Sequence, residues 1–511
     1  MKRITLISIL SVLGAFCAQA GNINSQVLKD NNFRNSLWME SSNTAGLAFR
    51  PFDMYKDLDL KYENNSGDFH ASQDASNINN ISLNTSGSAH LGKFTVWGKF
   101  SFSNIFEKGR NMNALMYETE VDMPYYPIDT TKNSPWTKQA YNLQAKLISP
   151  VLWDLVSFGI DVNYVNNVGA KQLDPRAETY RYYINLKPSA AFRFGKNLIG
   201  LNAVYKNGFE RSKPSNENNW VSQAVYLHKG LGEAVRGKVG DNDGIKEYMF
   251  TNNMYGGGLQ YGYCGNVELF ADLGFVIKKT DVVSQPKLPK KEGSTNKKEI
   301  NADIKFLFGE YKSDNLWIKA NYGKTGGTEY IQKLTVESAT DQYWNVISSN
   351  VMSSYKNMTA SLGYDHQFGA SDARGYDWVV GGQADFLMRK DTYNLPISKF
   401  KATTVAADVF GGKQFKFKAS SLLVKIDGGY GKSLGSEYIY GGTNPKYESV
   451  NMYKAESEYY STDYAKAGCR VAYTINTKRL GFVINAAADY IKPLGATGHR
   501  LYANTSFGIL F

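Results

Sequence analysis

The chain has 511 residues but only 3 cysteines, 13 prolines and 5 histidines. Three cysteines cannot build a disulfide framework or a cysteine-based metal cluster. Long hydrophobic runs are missing too. The one candidate, residues 4–16, falls short of the roughly 20 apolar residues that a spanning helix needs, so a helical membrane protein is excluded. Charge of one sign is not in large excess. There are 58 Lys+Arg against 47 Asp+Glu, a formal net charge of +11. That balance does not point to nucleic acid. Aromatics are plentiful, with 35 Tyr and 27 Phe, so the chain has ample apolar surface to bury or to offer to lipid, and disorder is excluded. Glycine, at 47 residues, with little proline suits many strands and tight turns.

Residues 1–20 have the layout of a secretory signal peptide. Lys2 and Arg3 precede the apolar run, and Ala18-Gln19-Ala20 forms a small-residue cleavage site. Cleavage before Gly21 removes Cys17, leaves Cys264 and Cys469, and lowers the net charge from +11 to +9. A mildly basic exported surface suits contact with anionic lipopolysaccharide.

The rest of the chain alternates. Val156, Phe158, Ile160, Val162 and Tyr164 are separated by Ser157, Gly159, Asp161 and Asn163. The same pattern runs through 180–192, 269–278, 300–308, 378–386 and 480–490. Period two means strands with one apolar and one polar face. Runs of 9–11 residues exceed the usual 5–6 of a soluble sheet and match strands crossing a bilayer at a tilt. Short links near 92–93, 149–155, 195–197, 264–266, 309–315, 366–376, 411–413 and 476–479 alternate with long ones. The long links are near 66–79, 105–136, 169–178, 208–250, 280–298, 323–355, 390–398, 428–461 and 492–499. Outer-membrane barrels have this asymmetry, with tight periplasmic turns and long external loops. The expected fold is therefore all-β: one transmembrane antiparallel barrel over 55–511 of about 18 strands, with 14 or 16 as alternatives. Residues 21–54 form an N-terminal segment. Ile23, Val27, Phe33, Leu37 and Trp38 suggest a short amphipathic helix there, which either plugs the barrel mouth or leads into it, the second being preferred. The last strand alternates Leu501, Ala503, Thr505, Phe507, Ile509 and Phe511, and Phe507, Ile509 and Phe511 resemble the C-terminal signal read by the barrel-assembly machinery.

Few groups suggest chemistry. His70 and His228 fall in expected loops, His90 points inward near a turn, His366 lies in a turn and His499 at the outer rim. Tyr364-Asp365-His366 has hydrolase residue types but sits on the turn side, so no catalytic residue is assigned. Gly323-Lys324-Thr325 lacks the earlier glycine of a phosphate loop, Ile318 standing in its place. Asp241-Asn242-Asp243-Gly244 lacks the distal Glu of a calcium loop and reads as a turn. No metal or cofactor is expected. The lysines of 286–299 (Lys287, Lys290, Lys291, Lys297 and Lys298) are placed in an extracellular loop, solvated or docking lipopolysaccharide phosphates. Cys469 shares the lipid-facing parity and Cys264 a turn, so both are expected as free thiols.

The polar parity of the strands is the candidate lumen lining. Its acids are Asp57, Asp59, Asp161, Asp272, Asp303, Asp385 and Asp489. Its bases are Lys61, Lys99, Arg181, Lys187, Arg193, Lys305, Lys319 and Arg470. Lysine or arginine on the lipid face at mid-depth costs about 2–4 kcal/mol, which is why this parity must face inward. The set could act as a selectivity ring or as paired networks that fill the barrel.

Trp38-Met39-Glu40-Ser41-Ser42-Asn43-Thr44-Ala45-Gly46-Leu47 resembles the N-terminal W…S-N-A-A-G-L motif of a Bacteroidota-type outer-membrane β-barrel family of unknown function, with Thr44 in place of an alanine. Phe106-Glu107-Lys108-Gly109 and Ala170-Lys171-Gln172-Leu173-Asp174-Pro175-Arg176 resemble its loops. The resemblance implies an outer-membrane location with a TonB-dependent receptor or a surface lipoprotein as neighbour, and it assigns no activity. The leading expectation is a channel or facilitator for solutes. The alternative is a non-conducting accessory barrel for ligand capture or partner anchoring. A TonB-dependent transporter itself is not expected, because about 34 residues before the barrel are too few for its plug.

Overall fold

The computed structural model describes residues 25–116, 124–218, 220, 223–238, 247–285, 288–371, 375–477 and 480–511. The expected leader and the 241–244 turn lie outside the described residues. Eighteen antiparallel strands, from Lys56–Ser66 to Arg500–Leu510, each pair with the next, and the last pairs with the first. The ring is a closed barrel. The closing seam sets Leu58 opposite Ile509 and Leu60 opposite Phe507. Phe511 and Lys56 exchange backbone hydrogen bonds of 3.0 Å.

Alternation decides which face each residue takes. Leu60, Leu143, Leu201, Leu273, Leu362 and Ile484 stand exposed on the outer face. So much exposed apolar side chain is a liability in water and is what a lipid-facing band requires. Among the described residues, no helix is long and apolar enough to cross a membrane. A barrel of this size resembles those of outer-membrane proteins.

One end of the barrel has tight connections. Gly92 and Gly195, both at φ +60°, sit in the two-residue turns that join their hairpins. A side chain would be strained in that left-handed conformation. The opposite end differs from the sequence reading. The segment 390–398 is not a loop, since Trp378–Asn394 and Ile397–Lys416 are joined by two residues. The segment 323–355 is a continuous hairpin of strands Asp314–Val336 and Gln342–Phe368, 23 and 27 residues long. The lysines of 290–298 lie on the strand Lys290–Phe308 rather than in a loop. The physical reason is common to all three. Beyond the lipid both faces of a hairpin meet polar surroundings, so the period-two contrast fades while the backbone ladder continues.

Two bodies fill the lumen. The first is residues 25–55, with helix α1 (Gln26–Asn35) capped by the Ser25 side chain, which accepts from Leu28 N–H at 3.3 Å. The helix leads to a single 3-10 turn, Ala45–Ala48. The segment enters the barrel rather than merely leading to it, because its polar and apolar groups both find partners on the inward parity. The second body comes from connections at the long-link end. Tyr126–Ile128, Ala224–Gly230 and Glu233–Lys238 form a small sheet, and helix α2 (Glu448–Ser461) packs beside it.

Candidate functional site

The inner plug is clasped by the residues of its own short motif. Asn43 Nδ2 donates to the carbonyls of Ala190 and Leu201 and to Gln260 Oε1, at 2.9, 3.2 and 2.9 Å. Ser41 Oγ and Ser42 N–H donate to Asp272 at 2.9 and 3.2 Å, and Gln260 Nε2 donates to the same carboxylate at 2.8 Å. Trp38 is buried edge-on to Phe270, with ring centroids 5.0 Å apart. Gly46 lies flat against that indole. A Cβ there would come within 1.9 Å of the ring. Gly46→Ala is therefore expected to unseat the clasp at a cost of about 1–3 kcal/mol, the usual penalty of overpacking a tight site. Limited proteolysis of the N-terminal segment checks this: cleavage should speed up several-fold while the barrel stays intact. Unchanged protection would show that the clasp contributes nothing.

Ion pairs tie the same plug to distant parts of the ring. Lys29 reaches Asp57 and Arg34 reaches Asp365, each at 2.7 Å. Lys305 Nζ donates to the Arg34 carbonyl and Lys146 Nζ to the Met39 carbonyl, each at 2.6 Å. Lys319 bridges Glu40 and Asp303, at 3.5 and 3.7 Å. Arg470 lies 3.9 Å from Asp30.

Against this plug a polar chamber of about 880 Å³ remains. One wall carries Lys99, Lys146 and Lys187 around Asp161, which accepts from Gln144 at 3.0 Å. Across the ring the sign reverses. Asp385, Asp408, Asp427 and Asp489 share the inward parity of neighbouring strands, with Lys466 placed 3.7 Å from Asp408 and 3.5 Å from Asp427. The lumen thus has a basic side and an acidic side.

The outer plug is apolar where the chamber is polar. Leu115, Tyr125, Tyr126, Ile128, Val225 and Leu227 of the connections pack with α2 onto inward residues of the wall. Trp136 on one side of the ring and Phe400 on the far side belong to the same buried cluster, so the packing spans the bore. Two buried charge groups fix it. Asp129 pairs with Lys171, both fully buried. Arg389 binds Asp391 at 2.5 Å and α2's Glu456 at 3.4 Å, lying over the Phe400 ring.

The expected lumen residues divide by location. Asp57, Asp59, Lys61, Lys99, Asp161, Lys187 and Arg470 line the chamber. Asp303, Lys305 and Lys319 line a smaller cavity under the plug. Asp272 serves the clasp. Arg181 lies 3.8 Å from Glu210, and Lys61 lies 2.6 Å from Glu63. Arg193 is at the short-turn rim, 3.4 Å from Asp154. Asp385 accepts from Ser361 at 2.5 Å. Asp408, Asp427 and Lys466 were not singled out, although they obey the same alternation as Asp385 and Asp489. Asn43 and Gln260 are uncharged and carried no such signal, Arg389 lies on the inward parity of Asp385, and only the fold brings their partners to all three. His228 is buried in the outer plug rather than lying in an open loop. His366 Nδ1 is 2.7 Å from Asp314 at the short-turn end. Cys264 and Cys469 are free, with Arg50 Nε donating to the Cys264 sulfur at 2.8 Å.

Among solved structures, the ferric preacinetobactin receptor BauA from Acinetobacter baumannii is similar at 9% identity and a TM-score of 0.40, covering 90% of this chain and 80% of that one. The siderophore receptor PiuA from the same organism gives 8%, 0.39, 89% and 81%. The toluene transporter TodX from Pseudomonas putida gives 11%, 0.27, 92% and 91%. No curated protein matches the sequence. Residues 44–511 match the model of a family of unknown function, DUF6850, and the chain belongs to that family.

Proposed function

We propose that this protein is an outer-membrane barrel whose lumen is closed at rest, and that it works as a non-conducting accessory for ligand capture or partner anchoring rather than as an open solute channel. The observation that carries this reading is the buried cluster joining Trp136 to Phe400 across the bore. An 18-stranded ring is wide enough for an aqueous path only if nothing fills it. Here apolar packing occupies the long-link end and a hydrogen-bonded segment occupies the other. The charged chamber between plug and wall is the place for a captured polar ligand. A TonB-dependent receptor or a surface lipoprotein is the partner in this reading, and the barrel-assembly machinery would read Phe507, Ile509 and Phe511.

Single-channel recording of the refolded full chain in a planar bilayer tests the reading. The intact barrel is expected to be silent, with folding verified by heat-shifted electrophoretic mobility. Steady conductance of the intact chain would sink it and restore the open channel.

A further inference from the structure

Five lysines stand in one unbroken line on the outside of the barrel. Strand register sets Lys298 opposite Lys324, Lys324 opposite Lys356, Lys356 opposite Lys390 and Lys390 opposite Lys401. All five share the parity of the lipid-facing residues. Two positions nearer the membrane centre, the same strands present Ile300, Tyr322, Met358, Met388 and Thr403. Two positions farther out they present Asn296, Gly326, Ser354, Thr392 and Lys399. The line therefore marks where the outer face changes from apolar to polar, at the long-link end of the barrel. None of the five lysines has an ion-pair partner among the described residues, although the lumen of the same barrel is dense with pairs. The nearest outward acid is Glu437, opposite Lys401 at one end of the line. Ile277, opposite Lys298, bounds the other end.

Like charges directly opposite each other across strands destabilise a sheet. Side chains on neighbouring strands are about 5 Å apart, so the five ammonium groups repel unless an anion neutralises them. Water and salt screen such a row poorly beside lipid. We infer that the row Lys298, Lys324, Lys356, Lys390 and Lys401 is a binding site for the phosphorylated head group of an outer-leaflet glycolipid of the lipid A type. The row spans about 19 Å at ~4.8 Å per strand, enough for one disaccharide head group. The apolar side chains below would lie along its acyl chains, and Asn296, Ser354 and Thr392 would offer hydrogen bonds to its sugars. The inference rests on the barrel lying in an outer membrane and is independent of whether the lumen conducts.

Native mass spectrometry of the full chain in detergent micelles tests it with three probes: bis-phosphorylated lipid A, its dephosphorylated form and inorganic pyrophosphate. Each lysine near a charged lipid surface contributes about fivefold in affinity, so losing three costs on the order of a hundredfold. The intact chain, with all five lysines, is expected to hold lipid A on the order of a thousandfold more tightly than the dephosphorylated lipid. The triple variant Lys324→Gln, Lys356→Gln, Lys390→Gln should lose on the order of a hundredfold in lipid A affinity, and the corresponding triple arginine variant should retain binding. Heat-shifted mobility separates a folding failure from a binding loss, and the comparison of the two lipids on the intact chain needs no variant. Three results would each overturn the assignment: lipid A binding by the glutamine variant within twofold of the intact chain, equal binding of both lipids, or pyrophosphate binding as tightly as lipid A. A chain with no heat-shifted mobility would instead strike at the membrane-barrel reading itself.

Discussion

Removing both plugs together is expected to turn a silent barrel into a conducting one, while removing either alone leaves it silent. The two bodies close the bore by different means and at different depths. Residues 25–55 are held by polar contacts spread round the ring, among them Lys29 to Asp57, Arg34 to Asp365 and Ser41 to Asp272. The outer body is held by apolar burial between Trp136 and Phe400. Neither shares its anchors with the other, so each should persist when the other is cut away. The measurement is bilayer conductance of four chains: intact, lacking 25–54, with 111–133, 224–238 and 442–462 (the last carrying α2) replaced by short Gly-Ser links, and with both changes. Conductance after a single removal would show that one plug alone seals the barrel. Silence of the double variant, with its folding verified, would mean that wall side chains close the bore unaided. If the double variant conducts, the opposed basic and acidic walls predict weak selectivity between anions and cations, since Lys99, Lys146 and Lys187 face Asp385, Asp408, Asp427 and Asp489.

Acidification is expected to release the outer plug, with His228 as the main cause. This side chain is 1% exposed and lies between two rings, tilted against Tyr126 at 4.9 Å and stacked on Tyr453 at 5.6 Å. Neither ring nitrogen has a hydrogen-bond partner among the described residues. Burial, with the Arg389 guanidinium nearby as a second cause, pushes its pKa down to about 3 from an ordinary 6.5. The other charged groups around it are Asp391 and Glu456, both engaged with Arg389. The sign follows from proton binding. Between pH 6.5 and 3 the released plug takes up a proton at His228 and the seated plug does not. Seating is therefore unaffected above pH 6.5 and weakens as the pH falls below it. At pH 4.5 the loss is about 3 kcal/mol, on the order of a hundredfold in the seating equilibrium. In the chain lacking 25–54, channel openings should become frequent between pH 6 and 4.5. His228→Phe keeps the stacking and removes the proton site, so its openings should stay rare across that range. Equal opening of both chains would shift the cause to the carboxylates.

The alternation of Phe158, Ile160 and Val162 against Asp161 and Asn163 was enough to read a lipid-facing barrel, because a two-sided strand must show one parity to lipid and the other to the lumen. The same rule placed Asp57, Lys99, Asp161 and Lys187 inward together, and it marked Phe507 and Ile509 as one face of the last strand. It could not place the outer ends of the strands. Past the lipid, residues such as Lys290, Gln332 and Asn394 meet polar surroundings on both sides, so strand and loop look alike in one dimension while backbone pairing continues in three.

What the sequence determined by itself, then, is the barrel, its approximate strand count and the sign of each inward charge, since all three depend on local period and on what lipid excludes. What only the tertiary structure decided is how the bore is filled and which distant residues meet. Asn43 finds Gln260, Arg389 finds Glu456, Trp136 and Phe400 join one core, and five lysines scattered over a hundred residues become one line. Each of these depends on register and on the closure of the ring, and neither is written in the spacing of residues along a single strand.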